Sequence, residues 1–299
     1  MINVCLPGTG GTIPLKDRWL TCLWIEYNGK AALIDCGEGT QIALAESGCK
    51  LSKIEAIFIT HVHADHIAGL PGLLLTMGNH GRTEPVTIYA PIGTHYIIGN
   101  LCSICPFVPF ALHVKELDID EEAHAEWNGF DVNVLPLRHT MPCLGYSFTM
   151  HRRPVFSPEK AEAMGIPKQL WSVLHKGGEI ELDGRKITCD MVTDAARDPI
   201  KITYMTDTQY FPKMTEFAER SDLLVCEGMY GDNGSDGKAH EKGHMLFAQS
   251  AAVAADSGSK ELWLTHFSPS MDNPFDYAEI AQEIFPNTVI PADGMKCAL

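Results

Sequence analysis

The chain has 299 residues, of which 45% are hydrophobic and 20% are charged, and this composition excludes a disordered or fibrous protein. The 23 Lys and Arg residues against 38 Asp and Glu residues give a net charge of −15, which disfavours long-range attraction to a polyanion such as nucleic acid. Residues 1–6 lack the basic and apolar parts of a secretory signal, and no later window reaches the ~18 uninterrupted apolar residues that cross a bilayer. We therefore expect a cytoplasmic protein without membrane contact, whose ten cysteines are reduced thiols.

Short apolar runs typical of strands recur along the chain and are separated by helix-forming segments. Strands are predicted over 20–27, 30–34, 56–59, 86–89, 130–137, 202–205, 223–225 and 262–264. Helices are predicted over 40–46, 67–77, 158–164, 244–255 and 274–284. Ser157 and Pro158 are typical of the cap and first turn at the start of the third helix. Early hairpin-like strands followed by strand–helix alternation favour two sheets packed face to face with helices outside.

The sequence shows no internal repeat and no low-complexity linker, so a single domain over residues 1–299 is the simplest prediction. Within it, a segment at about 150–199 is rich in Pro, Gly and charge, and we expect an irregular insert there. The run 116–126 is rich in Asp and Glu and is expected to form a solvated acidic edge.

Three histidines and one aspartate fall within six residues, directly after the predicted strand 56–59. They are His61, His63, Asp65 and His66. In a turn between a strand and a helix these side chains can point at a common centre while the strand fixes their base. Imidazole and carboxylate groups bind zinc, and three crowded imidazoles without a metal would leave several ring nitrogens unsatisfied. The motif therefore predicts a metal site.

Four further residues of ligand type follow predicted strands, namely His139, Asp207, Glu227 and His266. Functional side chains gather at strand ends because the sheet positions them. A single histidine at such a place is more often a packing or surface residue. The recurrence of an apolar strand followed by a ligand favours one shared site.

These residues together resemble the metallo-β-lactamase superfamily, which implies an α/β fold with a four-layer αββα sandwich and a dinuclear metal site at one edge of the sheets. Within that superfamily the chain is similar to the ribonuclease Z family of endonucleases. Four runs carry this closer resemblance: PLKDR at 14–18, DCGEGTQ at 35–41, HIAGLPGL at 66–73 and LTHFS at 264–268. The run at 35–41 and the THFS part of the last run are the more particular to ribonuclease Z.

The resemblance implies two divalent metal ions and assigns their ligands by position. One ion is held by His61, His63 and His139, the second by Asp65, His66 and His266, and Asp207 bridges the two. Two ions roughly 3.5–4 Å apart can share a hydroxide and clamp both the attacking and the leaving oxygen at phosphorus. Zinc is the expected metal, and manganese fits the same ligands.

The resemblance also implies that Glu227 and His244 act as a pair, in which His244 protonates the departing ribose oxygen. Together with Asp65 they are the expected catalytic residues. His244 has an alternative interpretation as an N-terminal residue of the alanine-rich helix that follows it. Asp35 is expected to accept a proton from a ligand imidazole, as metal sites usually require, and its alternative is a turn aspartate.

Substrate contacts are expected from five basic residues: Lys16, Arg18, Arg152, Arg153 and Lys168. The first two lie in the PLKDR loop and are otherwise solvated charges. The segment 152–186 has seven basic and five acidic residues, a net charge of +2, and resembles the arm with which the family grips tRNA. Trp171 within it offers a stacking surface for bases. A partly folded surface insert or a dimer contact is the alternative for this segment.

The sequence therefore predicts a metal-dependent phosphodiesterase of the ribonuclease Z type. The resemblance implies removal of the 3′ trailer from precursor tRNA by a metal-bound hydroxide, leaving a 3′-hydroxyl and a 5′-phosphate, and it implies a homodimer. The alternative is a hydrolase of the same fold acting on a cyclic nucleotide, another small phosphodiester, a thioester or a lactone, which the acidity of the chain favours. A third interpretation is a non-enzymatic binding module with a structural metal.

Overall fold

A computed structural model describes residues 1–118, 123–195 and 197–299. Residues 119–122, within the expected acidic edge at 116–126, lie outside the described residues. The fold divides into two compact units, one formed by Met1–Thr149 with Lys201–Leu299 and the other by Met150–Ile200.

Sixteen strands are present in the described part of the chain. In chain order they are β1 (Asn3–Gly8), β2 (Cys22–Tyr27), β3 (Lys30–Ile34), β4 (Ile54–Phe58), β5 (Val86–Pro91), β6 (Leu112–Leu117), β7 (His124–Trp127), β8 (Phe130–Leu137), β9 (Cys143–Met150), β10 (Ile180–Leu182), β11 (Arg185–Ile187), β12 (Ile200–Met205), β13 (Leu223–Glu227), β14 (Leu262–Thr265), β15 (Thr288–Val289) and β16 (Met295–Ala298).

Helices connect many of these strands. The α-helices are α1 (Thr40–Glu46), α2 (Ala64–Ile67), α3 (Leu70–Asn79), α4 (His95–Cys102), α5 (Pro158–Ala163), α6 (Trp171–His175), α7 (Lys213–Phe217), α8 (Asp236–Lys242), α9 (Phe247–Asp256) and α10 (Ala278–Gln282). Short 3-10 helices span Leu51–Lys53, Lys168–Leu170, Cys189–Val192, Asn233–Ser235 and Pro274–Tyr277. No described helix is long and apolar enough to cross a bilayer.

The larger unit contains two seven-stranded sheets. The first has the order β16-β1-β2-β3-β4-β5-β6 and the second the order β15-β14-β13-β12-β9-β8-β7. The inner faces of the two sheets meet through aromatic side chains. The Phe58 ring on β4 lies 5.4 Å from that of Tyr146 and 5.1 Å from that of Phe148, both on β9. The Tyr146 hydroxyl donates to the carbonyl of Ile59 at 2.6 Å, which ties the end of β4 to the second sheet.

Helices cover the outer face of each sheet. Leu73 and Leu74 on α3 pack in one apolar cluster with strands of the first sheet, and Phe247 on α9 packs in another with strands of the second sheet. Full burial of a leucine or phenylalanine side chain contributes about 1.5–3 kcal/mol. The layers therefore follow the order helix, sheet, sheet, helix, and the prediction of two packed sheets with helices outside is confirmed.

Three predicted helices have other bounds than expected. The predicted helix 274–284 is a 3-10 helix over Pro274–Tyr277 followed by α10. The predicted helix 67–77 is divided between α2 and α3, because the Gly69 amide donates to the carbonyl of Cys36 and leaves the helical pattern. The predicted helix 244–255 begins only at Phe247, since the amide of Met245 is bonded to the carboxylate of Glu227. His244 therefore lies in the connection between α8 and α9, and its alternative interpretation as a residue of the helix is wrong.

The smaller unit, Met150–Ile200, has regular structure of its own, so the expectation of an irregular segment is wrong. It contains α5, α6 and the β10–β11 hairpin, and it has a small core of Ala161, Ile166, Leu174, Ile187 and Val192. The predicted start of α5 is confirmed: the Ser157 side chain accepts from the backbone of Lys160, and Pro158 is in the first turn. The unit gains this structure from side chains spaced too irregularly to show a sequence period.

Candidate metal centre

The turn after β4 carries the histidine motif between the two sheets. The amide of Ile59 donates to Tyr89 on β5, and the carbonyl of Thr60 accepts from Leu144 on β9. Both sheets thus hold the backbone just before the motif. His61 and His66 are fully buried, whereas His63 and Asp65 are partly exposed. The turn therefore contributes two buried and two partly exposed side chains.

Three histidines converge as the first group of candidate ligands. The Nε2 atom of His61 lies 2.9 Å from Nδ1 of His63, and the same Nδ1 atom lies 3.3 Å from Nε2 of His139. His139 follows β8, whereas the other two follow β4. The structure therefore brings together the three residues predicted for one metal ion.

A second group forms beside the first. Nε2 of His66 lies 3.3 Å from Nε2 of His266 and 3.5 Å from Oδ2 of Asp65. Nε2 of His266 lies 3.4 Å from the same oxygen of Asp65. Asp207 lies between the two groups. Its oxygens are 3.4 Å from His66 and His266 and 3.9 Å from His61 and His139.

The chemistry and spacing of these donors fit two divalent metal ions. A tetrahedral ion with bonds of about 2.0–2.1 Å holds its ligand atoms roughly 3.3 Å apart, which is the spacing within each group. His66 donates from Nδ1 to Asp35, so in the neutral ring the Nε2 atom has a bare lone pair facing the Nε2 atom of His266. A divalent cation between the two rings would bind this lone pair and the facing nitrogen of His266.

Neighbouring groups orient the imidazoles of the candidate ligands. The buried carboxylate of Asp35 lies 2.8 Å from Nδ1 of His66 and accepts from the amide and hydroxyl of Thr60. The Nδ1 atom of His139 lies 3.1 Å from the carbonyl of Gly243. These contacts fix which ring nitrogen of each histidine points into the site. Asp35 thus contacts a candidate ligand, His66, as well as Thr60.

The site also shifts the pKa values of its members. Burial lowers the pKa of His61, His63 and His139, which keeps these imidazoles neutral and able to bind a metal. Burial acts in the same direction on His66, but Asp207 and Asp35 outweigh it and raise the pKa of that group. Burial raises the pKa of Asp35.

Three site residues have left-handed backbone conformations directly beyond strands. The φ angles are 62° at Asp35, 58° at Asp207 and 59° at His266. Non-glycine residues rarely adopt such angles, and those that do cluster at functional sites. The conformation turns the chain sharply at the edge of the sheets and directs each side chain into the site.

Gly11 leaves space for the ring of His266 because it has no side chain, a role that the sequence did not reveal. A Cβ atom at Gly11 would lie 2.7 Å from Cε1 of His266. The Gly11 amide also donates to the carbonyl of Phe267, the residue after His266, so Gly11 is held beside the ring that it accommodates. The contact joins residues near opposite ends of the sequence, which is why a local pattern could not indicate it.

Glu227 and His244 form a buried pair at the edge of the metal ligands. Nδ1 of His244 lies 3.0 Å from Oε2 of Glu227, and the amides of Thr208 and Met245 donate to the same carboxylate. Burial opposes protonation of His244, but the negative charge of Glu227 outweighs it and raises the pKa of His244 to about 9. The ring of His244 lies 5.2 Å from that of His139. The pair can therefore hold a proton beside the metal ligands.

The ligands open into a cleft of about 620 Å³. His63, Asp65, His139, Asp207, His244 and His266 line its base. Lys238 and Lys242 on α8 also line it, and the sequence analysis gave them no role. A charged helix of seven residues with an internal glycine has no apolar period that would have revealed it.

The predicted substrate contacts differ in what the structure shows of them. Lys16 is exposed, but Arg18 donates to the carbonyls of Ser268, Met271 and Asp272 and is thereby tied to a loop. Neither side chain lines the cleft described above.

In the smaller unit, Arg153 is exposed, whereas Arg152 donates to the carbonyl of Asp198. The Lys168 ammonium lies 3.5 Å from Glu162 and 5.4 Å from the ring centre of Trp171. The indole of Trp171 donates to Ile166 and packs against Phe156, so this ring belongs to the unit's own core. The ring therefore presents less open surface for stacking with a base than expected.

The chain is similar over its whole length to curated proteins of one name. A protein named ribonuclease Z from Agathobacter rectalis is 46% identical over 299 residues, which cover 100% of this chain and 98% of the relative. This chain belongs to the ribonuclease Z family. A family model described as "Anti-Pycsar protein Apyc1" matches residues 2–176, so the chain belongs to the family of that model as well.

Solved structures share the fold of this chain. The crystal structure of human tRNase Z, short form, matches with a TM-score of 0.71 at 24% identity and covers 99% of this chain and 98% of its own. The metallo-β-lactamase fold protein YhfI from Bacillus subtilis matches with a TM-score of 0.70 at 18% identity over 99% and 98% of the two chains. The fold is therefore the metallo-β-lactamase fold, and the prediction of a four-layer αββα sandwich is confirmed.

Proposed function

We propose that this chain is a metal-dependent endoribonuclease that removes the 3′ trailer from precursor tRNA. The observation that carries the proposal is the convergence of two ligand groups on Asp207, with the Glu227–His244 pair beside them. A metal site alone suits many hydrolases. A held proton next to that site suits a reaction whose leaving group is a poor one, such as a ribose oxygen.

The residues named above would hold two divalent ions, the first at His61, His63 and His139 and the second at Asp65, His66 and His266, with Asp207 between them. Zinc is the proposed metal, since imidazole and carboxylate are its usual protein ligands, and manganese suits the same set. When bound, such ions supply Lewis acidity and an activated water molecule.

The chain's own residues supply the positioning and the proton. Asp35 and the carbonyl of Gly243 hold ligand rings in place, so that the metal ligands need not reorganise during the reaction. Glu227 fixes the Nδ1 atom of His244, which leaves Nε2 free to donate a proton to the leaving 3′ oxygen. The carboxylate of Asp65 accepts from the amide of Thr12, which ties the segment after β1 to the site.

The proposal extends to substrate contacts and assembly. Lys16, Arg152, Arg153 and Lys168 are proposed to contact RNA phosphates, since such contacts drive RNA affinity. For Arg18 the bonds to three loop carbonyls support a positioning role. A single metallo-β-lactamase-like domain with the unit Met150–Ile200 as its insert, a homodimer and a cytoplasmic location belong to the same proposal, in keeping with an enzyme that acts on tRNA.

The small-molecule alternative is not favoured. Full-length identity of 46% to a protein named ribonuclease Z supports the RNA endonuclease. A non-enzymatic metal module would not need a protonated histidine beside the site, and the Glu227–His244 pair supplies one.

The direct test is incubation with a precursor tRNA that has a 3′ trailer, in the presence of Zn²⁺ or Mn²⁺. We expect a single cut that leaves a 3′-hydroxyl on the tRNA and a 5′-phosphate on the trailer. Asp207→Ala is the inactive control, and Asp256→Ala on the exposed end of α9 is the matched control that keeps activity. Turnover of bis(p-nitrophenyl) phosphate without any cleavage of the tRNA would transfer the proposal to the small-molecule alternative.

A further inference from the structure

Helix α8 presents two lysines to the cleft. Lys238 and Lys242 are four residues apart, which places them on one face of the helix, and both line the cleft together with His139 and His244. Both side chains are exposed. The Lys238 ammonium lies 5.1 Å from the ring centre of Tyr230, a further residue of the cleft wall. Two cations therefore stand at the rim of a site whose base holds carboxylates and imidazoles.

The folded protein gains little from this arrangement. Like charges four residues apart destabilise an isolated helix. Among the residues that the structure describes, no carboxylate lies within ion-pair distance of either lysine. The negative end of the helix stabilises Lys242 but is a full turn away from Lys238. In a chain of net charge −15, an unpaired lysine pair facing a catalytic cleft indicates an anionic ligand.

The path of the chain places the two lysines on the same side of the cleft as His244. Helix α8 ends at Lys242, and His244 follows after Gly243 alone. The lysines and the proposed acid are thus neighbours on one wall of the cleft. Thr12, Ser268 and Ser270 are residues of the cleft that carry no charge. Among the described cleft residues, these two lysines are the only Lys or Arg side chains.

We propose that Lys238 and Lys242 bind backbone phosphates of the RNA on the 5′ side of the cleaved bond, the part that remains in the tRNA product. The inference rests on the proposed function, because it uses His244 as the acid. Because His244 is the proposed acid, the leaving 3′ oxygen lies on its side of the cleft, opposite the attacking oxygen. The nucleotide that bears this oxygen, and those before it, then continue along the wall that holds the lysines.

The test is a binding measurement on the two products of the reaction. Lys238→Gln/Lys242→Gln is compared with Lys50→Gln/Lys213→Gln, which removes the same charge from exposed positions outside the cleft. The ligands are a tRNA transcript ending at the cleavage site and a trailer oligonucleotide with a 5′-phosphate. Affinities are measured at several salt concentrations, with the metal present, and thermal unfolding is recorded for each variant.

We expect the cleft variant to bind the tRNA product at least tenfold more weakly, with a slope of log affinity against log salt that is about 1.4 smaller, since each single-strand phosphate contact contributes about 0.7. Trailer affinity should change less than twofold, and the control pair should bind both ligands like the wild type. Lys238→Arg/Lys242→Arg keeps both charges and should bind the tRNA product like the wild type. This comparison separates the loss of a charge contact from damage to the helix.

Equal product affinity in the cleft variant and the control would overturn the proposal, and so would a loss that falls on the trailer instead. Because binding is measured without turnover, its outcome is separate from that of the proposed function. A wild type that binds the tRNA product through these lysines but leaves precursor tRNA uncut would contradict the endonuclease proposal and not the phosphate contacts.

Discussion

The metal centre and the unit Met150–Ile200 hold their functional candidates in opposite ways. In the metal centre, His61, His66, Asp207 and His266 are at most 2% exposed, and neighbouring groups orient several of them. In the smaller unit, the side chain of Lys168 is 77% exposed. A buried, braced group can be assigned a single geometry, and its removal leaves neighbours unsatisfied. An exposed cation contributes charge with little fixed geometry, so its removal should have a small and additive effect.

The largest expected effect is that of Asp207→Ala at the shared position of the two ligand groups. Loss of this carboxylate should lower turnover of both precursor tRNA and bis(p-nitrophenyl) phosphate by several orders of magnitude, on the order of 10⁴-fold. The measurement is kcat/KM for both substrates, with Asp256→Ala as the control. Activity within tenfold of the wild type would show that Asp207 is not between two metals.

His244→Ala should separate the acid from the metal ligands. General acids typically contribute about 10²–10⁴-fold, and p-nitrophenolate leaves without a proton. We therefore expect a loss in that range for precursor tRNA and a loss of less than about tenfold for bis(p-nitrophenyl) phosphate. Metal content, measured in parallel, should stay at the wild-type value. An equal loss on both substrates would contradict a role as the acid of the leaving group.

Asp35→Asn should weaken metal binding without removing a ligand. The amide keeps an oxygen for Thr60, but it loses the charge that supports Nδ1 of His66. Partners of this kind typically affect metal affinity by about 10–100-fold. Zinc competition against a chromophoric chelator measures the change, and Asp256→Asn is the matched control. An unchanged zinc affinity would show that Asp35 stabilises only its own turn and does not support His66.

Two glycine substitutions should have opposite effects on stability. At Gly11 an added methyl group would collide with the ring of His266, and overpacking of this kind costs about 1–3 kcal/mol. At Gly99 in α4 a Cβ atom would meet nothing within 4 Å, and alanine should add about 0.5–1 kcal/mol. Thermal unfolding compares Gly11→Ala with Gly99→Ala. The account of His266 needs the first variant to be the less stable one.

The smallest effect is expected in the smaller unit. Arg153→Gln/Lys168→Gln should raise KM for precursor tRNA by no more than about tenfold, since each exposed phosphate contact is worth little alone. Lys50→Gln/Lys213→Gln carries the same charge change and should leave KM at the wild-type value. Arg152 is left unchanged because its hydrogen bond to the carbonyl of Asp198 contributes to the fold of the unit. A KM equal to that of the control would remove both residues from the substrate contacts.

Sequence patterns predicted that the candidate ligands would lie together because each follows an apolar strand, as His139 follows β8 and His266 follows β14. Contacts between distant segments could not be predicted in the same way. The start of α9 is displaced because Glu227, 18 residues before Met245, binds its amide. Gly11 was missed because it contacts the ring of His266, which is distant in the sequence. Lys238 and Lys242 were missed because α8 is short and has no apolar face.

The central claim is that seven side chains hold two divalent ions around Asp207. Elemental analysis of purified protein, after saturation with Zn²⁺ and removal of loosely bound metal, tests it directly. We predict about two equivalents of zinc per chain, falling to one or fewer in Asp207→Ala. One equivalent or none in the wild type, under conditions in which the protein is folded, would contradict the account.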